Sequence, residues 1–176
     1  RDIDILARMA ERQLVKVALS VTTLDRHLAR KMEPRATTPA RRLEAIRQLS
    51  EAGIPTQVMV APIVPALNDS EIERILEAAY EAGARDAGYV LLRLPLELKD
   101  LFREWLLTEF PDRAKRVLHI LQSMHGGRDY ISEFGIRQRG SGPYADQIAK
   151  RFRLALKRLG MNERGFKLRT DLFRKP

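Results

Sequence analysis

Residues 39–64 read PARRLEAIRQLSEAGIPTQVMVAPIV, a helix pattern followed at once by a strand pattern. Leu43, Ile46 and Leu49 recur at helical spacing, so Pro39–Ala52 is predicted to be a helix with one apolar face. Thr38 suits its N-cap, Pro39 its first helical position and Gly53 its C-cap. Pro55–Val64 follows as a strand, with Pro62 near its end, where a ladder hydrogen bond can be spared.

The same unit recurs on both sides. Upstream, Leu14–Val21 (LVKVALSV) is apolar and β-branched enough for a buried strand, and a loop joins it to Pro39. Downstream, Asp69–Ala82 is predicted to be a helix with Ile72, Ile75, Leu76 and Ala79 facing inward. Acidic residues fill its first turn and Gly83 closes it. Ala87–Leu94 (AGYVLLRL) is a third strand. Strands this apolar predict a parallel sheet covered on both faces. The fold class is therefore α/β, with three βα-type units over residues 1–95.

Residues 96–176 change character. Leu96–Phe110, Pro111–Met124 and Pro143–Leu159 read as helices, separated by the glycine-rich stretch GGRDYISEFGIRQRGSGPY at residues 126–144. In the last helix Ile148, Phe152, Ala155 and Leu159 form the apolar stripe, and Lys150, Arg153 and Lys157 share another face. The tail, Phe166–Pro176, retains Phe166, Leu168, Leu172 and Phe173, and is expected to dock back onto the body. This mostly helical extension, residues 96–176, is read as the second of two domains.

Charge divides along the same line. Residues 1–95 carry a net +1, from 14 Lys/Arg against 13 Asp/Glu, whereas residues 96–176 carry +8, from 18 against 10. A basic excess confined to one half resembles the footprint of a polyanion, with nucleic acid as the expected partner, or else a basic solvated surface. No run of about twenty apolar residues marks a membrane span, and the expected location is cytoplasmic. Cysteine is absent, which excludes disulfides and thiolate-ligated metal or iron–sulfur sites within these residues. His27, His119 and His125 are too scattered to predict a metal site. Arg1 opens the chain inside a helix-forming segment, RDIDILARMAERQL, and the expectation is a chain that lacks an upstream half.

In parallel α/β proteins the functional surface lies beyond the C-terminal ends of the strands. That rule selects Ser20, Thr22 and Thr23, then Pro62–Asp69, then Arg93–Pro95. The threonines either cap a turn or contact a ligand. Asn68 and Asp69 are open to an N-cap role as well as a ligand role. Arg93, inside an apolar strand end, must reach solvent or an anionic partner. Glu33 and Arg35 are placed to pair in the loop after the first strand, or Arg35 to meet an anion. Arg128, Arg137 and Arg139 lie among glycines, which suits phosphate contact, or they pair with Asp129, Glu133 and Asp146 to pin the loop. No catalytic constellation is visible.

Several blocks carry a resemblance to a known family: ALSVTTLD at 18–25, MEPRA at 32–36, RRLEAIRQLSEAGIP at 41–55, APIVPALND at 61–69 and GYVLLRLP at 88–95. Together they resemble the second half of radical S-adenosylmethionine (SAM) enzymes. With MHGGRDYISEFGIRQRGSGPYA at 124–145 and LRTDLF at 168–173, the chain looks like their spore photoproduct lyase-like branch. The resemblance implies the last three strands of a six-stranded partial (β/α) barrel. It also implies S-adenosylmethionine and a [4Fe–4S] cluster as cofactors, and hydrogen abstraction by a 5′-deoxyadenosyl radical in a lyase-like or DNA-repair-like reaction. Ser20 would fall at the ribose-contacting position, and Thr22, Ile63, Asn68, Leu92 and Arg93 near the cofactor. Independently of the resemblance, the charge pattern marks Arg35, Arg128, Arg137, Arg139, Lys150, Arg153 and Lys157 as candidates to meet substrate or another anion. The CxxxCxxC cluster segment is absent, so the missing N-terminal half is the first expected partner and the chain alone is expected to be inactive. The alternative is a non-catalytic nucleic-acid-binding α/β module.

Overall fold

The computed structural model describes residues 2–124, 138–163 and 165–172. The order is α1 (Ile3–Glu11), β1 (Val17–Ser20), α2 (Arg26–Met32), α3 (Pro39–Glu51), β2 (Thr56–Ile63) and α4 (Ile72–Glu81). Then follow β3 (Asp86–Leu91), α5 (Leu98–Glu109), α6 (Pro111–Met124) and α7 (Pro143–Leu159). The strands form one parallel sheet in the order β1-β2-β3, with Leu19 opposite Val58 and Val58 opposite Ala87. The α/β reading of three strand-and-helix units followed by helices is what the chain adopts.

Alternation along the strands decides which face is covered. Val21, Val58, Val60, Tyr89 and Leu91 are buried in one cluster with Ile46 of α3, Ile75 and Leu76 of α4, and Ile148 and Phe152 of α7. Their neighbours Ala18 and Ser20 are exposed, and Gln57, Met59, Gly88 and Val90 are half-buried. The expectation of helices on both faces is therefore corrected. Among the described residues α3, α4 and α7 cover one face, and the strands look continuously apolar because Ala, Met, Gly and Val occupy the other.

Several local expectations change as well. Asp25 caps α2, accepting from the backbone N–H of His27 at 2.7 Å and Leu28 at 3.4 Å, so the loop after β1 contains a helix. Thr38 sits at the N-cap of α3 but makes no side-chain cap bond. The helix expected from Asp69 begins with a single 3₁₀ turn, Asp69–Glu71, before α4. Helices α6 and α7 keep the expected bounds.

The extension packs on the sheet unit rather than beside it. Arg151 of α7 forms a fork with Glu73 of α4 at 2.8 and 2.6 Å, and Arg158 pairs with Glu77 one turn on. A second core joins Leu28, Val64, Leu67 and Leu94 to Leu106 of α5 and Val117 of α6. The described part of the tail docks less than its composition predicts, and Phe173 lies outside the described residues. Arg169 N–H donates to the Gln13 carbonyl at 2.9 Å and Phe166 is half-buried, while Leu168 and Leu172 stay exposed.

Candidate functional site at the strand ends

Beyond the C-terminal ends of β1 and β2 the chain makes two sharp departures, and one side chain ties them together. Asn68 is buried; its amide donates to the Thr22 carbonyl at 2.8 Å and the Pro62 carbonyl at 3.0 Å, and its Oδ1 accepts from Val64 N–H at 2.7 Å. Asn68 sits at the expected N-cap position of the 3₁₀ turn but makes no side-chain cap bond there. Both amide protons and one lone pair are used inside the protein. Asn68 therefore fixes the rim.

Thr22 and Thr23 are also buried. The Thr22 hydroxyl lies 2.9 Å from Glu33 Oε2 and 3.1 Å from the Ala61 carbonyl, and can donate to either. Thr23 donates to Glu71 and accepts from Asp25 N–H at 3.0 Å, so it braces the start of α2. Glu33 does not pair with Arg35. Its Oε1 accepts from Arg42 at 3.1 Å, and the same guanidinium donates to the Ser20 carbonyl at 2.9 Å and the Thr37 carbonyl at 3.1 Å. Arg42 won because α3 brings its fork against the end of β1, whereas Arg35 is exposed on the loop. Thr22, Arg26, Arg30, Glu33 and Arg42 line a cleft of about 490 Å³ at this end of the sheet.

The Ser20 hydroxyl, unlike its carbonyl, stands apart from that network. The side chain is on the open face, opposite Met59 in register, and Met59 is opposite Gly88. A Cβ at residue 88 would meet Met59 Sδ at 3.0 Å and Gln57 Nε2 at 3.1 Å. Glycine thus lets Met59 lie across β3 and keeps the open face low beside Ser20. Ile63 turns its side chain into the core, and its carbonyl accepts from Leu92 N–H at 2.9 Å. Leu92 and Arg93 are half-buried where β3 ends.

The residues expected to meet anions are spread over separate surfaces. Lys150, Arg153 and Lys157 are exposed on α7, opposite its core-facing Ile148, Phe152 and Ala155. Arg139 lays its guanidinium 5.5 Å from the centroid of the Tyr89 ring, at the outer edge of β3. Arg128 and Arg137 lie outside the described residues.

Two features had little sequence signal. Tyr144 donates to Asp69 Oδ2 at 2.6 Å, joining α7 to the turn before α4. Burial and then the Asp69 carboxylate push its phenol up to about 12. On Glu73 the hydrogen bond from Arg151 holds the carboxyl below its usual range. Among the described residues no group of three or more His, Asp or Glu is arranged to hold a metal ion. No helix there is long and apolar enough to cross a membrane.

Fold and rim define a parallel α/β sheet with one open face and a polar cleft beyond the strand ends. Residues 1–79, from α1 through most of α4, match the family model of the radical SAM superfamily. The chain is 33% identical over 118 residues to uncharacterized proteins of Mycobacterium tuberculosis and Mycobacterium bovis, covering 66% of this chain and 35% of theirs. An uncharacterized protein of Acidianus two-tailed virus is 38% identical over 65 residues, 37% of this chain and 21% of its own. The chain thus spans about a third of the length of its mycobacterial relatives. No solved structure matches it.

Proposed function

We propose that this chain is the second half of the wall of a radical SAM barrel, orienting S-adenosylmethionine and substrate toward a cluster held by other residues. The observation that carries this reading is the asymmetry of the sheet. Its β3 edge is closed by Asn162 and Gln138, which bond Ala87 and Leu91, whereas among the described residues no strand lies on the outer edge of β1. A parallel sheet closed at one edge and open at the other, with one bare face, is suited to continue past β1 and curve over that face.

The cofactors divide accordingly. The sequence has no cysteine, so these residues do not fit the iron–sulfur cluster. For S-adenosylmethionine the fit is with Ser20, whose hydroxyl stands on the low patch beside Met59 and Gly88 and suits a ribose hydroxyl. When reductively cleaved, S-adenosylmethionine supplies a 5′-deoxyadenosyl radical for hydrogen abstraction. Thr22 and Asn68 act behind Ser20 as positioning residues, holding the ends of β1 and β2 at fixed separation. Leu92 and Arg93 wall the adenine and methionine side. On the motifs quoted above we take the spore photoproduct lyase-like branch as the nearer one, and a lyase-like or repair-like reaction as the outcome.

The test is S-adenosylmethionine binding by a protein that carries this chain together with a CxxxCxxC half. Ser20→Ala should weaken binding by roughly threefold to tenfold, the worth of one hydrogen bond, with the melting temperature unchanged. Undiminished affinity would remove Ser20 from the ribose.

A second reading rests on α7. Its exposed Lys150, Arg153 and Lys157 suit the phosphates of a nucleic acid, with or without radical chemistry. Arg153→Ala should then weaken binding to all sequences alike and lower the salt slope by about one.

A further inference from the structure

A second concavity lies away from the cleft at the end of β1. It is a groove of about 950 Å³ between α5 and α6. Leu94, Ala114 and Leu121 form its buried floor, and Leu107 on its wall is 53% exposed, a large apolar side chain left facing water. Lys99 and Arg103, one turn apart on α5, line it from one side, and Lys115 and Arg116 from α6. Among the described lining residues these four cations are accompanied by a single carboxylate, Asp112.

We propose that this groove docks an acidic amphipathic helix of a partner protein. Three properties favour that occupant. The lining runs along α6 from Pro111 to Gln122, a length of about 17 Å at the helical rise, or three turns. Its apolar floor is flanked by basic residues from both helices, the complement of a helix with a leucine stripe bordered by Asp and Glu. The cations are distributed over both helices, which suits a ligand charged along its length better than one with a single anionic head. A nucleic acid fits less well, because among the described residues no Phe, Tyr or Trp lines the groove to stack a base. Seating a third helix there would cover Leu107 and extend the second core, in which Leu94, Ala114 and Leu121 already pack.

The test is fluorescence anisotropy on the full chain with a labelled peptide of roughly 18 residues, leucines at i, i+3, i+4 and i+7, and glutamates elsewhere. A peptide of the same composition in scrambled order should bind at least about tenfold more weakly, since it has no apolar stripe. Arg103→Glu with Lys115→Glu, both at exposed positions, should weaken the patterned peptide at least about tenfold with an unchanged melting temperature. The same variant should gain affinity for a peptide in which lysine replaces each glutamate. Equal binding of patterned and scrambled peptides would overturn the proposal, as would indifference to the double charge reversal. A single-stranded oligothymidylate that binds through Arg103 and Lys115 and displaces the patterned peptide would also overturn it, in favour of nucleic acid.

Discussion

The side chain of Asn162 pairs with the backbone of Ala87 as a neighbouring strand would. Nδ2 donates to the Ala87 carbonyl at 3.0 Å, and Oδ1 accepts from Ala87 N–H at 2.7 Å. The Asn162 backbone N–H adds a bond to the Arg85 carbonyl at 2.9 Å. Asn162 achieves this at φ +63, a left-handed conformation that asparagine tolerates better than most residues. Asn162→Gly keeps that conformation and removes the amide. It should cost roughly 1–3 kcal/mol in urea unfolding and speed hydrogen exchange at Ala87. Unaltered exchange would show that the edge is held without Asn162.

Asn68 carries more, because its bonds to Thr22 and Val64 are buried and that to Pro62 is partly so. Asn68→Ala leaves two carbonyls and the Val64 N–H without their partner, and should destabilise by roughly 2–4 kcal/mol. Asn68→Asp loses both donated bonds and sets a carboxylate against the Thr22 and Pro62 carbonyls, so it should be no better. An Asn68→Asp variant as stable as the parent would disprove the bridging role.

Tyr144 makes the stability depend on pH at the alkaline end. Burial and the Asp69 carboxylate raise its phenol to about 12, whereas an unfolded tyrosine titrates near 10. Its contribution is fully present below about pH 10 and is lost as the pH rises toward about 12. Ultraviolet titration should show Tyr144 ionising late, and Tyr144→Phe should remove that late step and flatten the loss of stability.

The opposite sign applies at Glu73. The hydrogen bond from Arg151 lowers its carboxyl, so the pair contributes above the usual carboxylate range and fades as the pH falls through the lowered value. Both side chains are partly exposed, which limits the effect to about 1 kcal/mol or less. Arg151→Gln should bring the acid unfolding midpoint to higher pH. An unmoved midpoint would count the fork as inert.

Much of the fold was legible because helix and strand periods are printed in the sequence. Ile72, Ile75, Leu76 and Ala79 fall on the buried face of α4 as spacing requires. What could not be read were contacts between residues far apart in the chain. Arg151–Glu73 spans 78 positions and Tyr144–Asp69 spans 75. The open face was misjudged because Met59 and Gly88 look like core residues until strand register sets one against the other. The Glu33–Arg35 pairing failed for a similar reason: local proximity lost to Arg42, which a helix carries to the strand end. For the rim, Ser20, Thr22 and Asn68 could be located from the strand-end rule, but nothing local told the outward-facing serine from the two buried side chains.

The most direct measurement is 5′-deoxyadenosine formation by anaerobically reconstituted protein supplied with S-adenosylmethionine and dithionite. The protein carrying a CxxxCxxC half joined to this chain should form 5′-deoxyadenosine and methionine, while residues 1–176 alone, which have no cysteine, should bind no cluster and form neither. Loss of product on Ser20→Ala at limiting S-adenosylmethionine, restored by raising its concentration, is the predicted refinement. A joined protein that takes up the cluster yet leaves S-adenosylmethionine uncleaved would contradict the barrel-wall assignment.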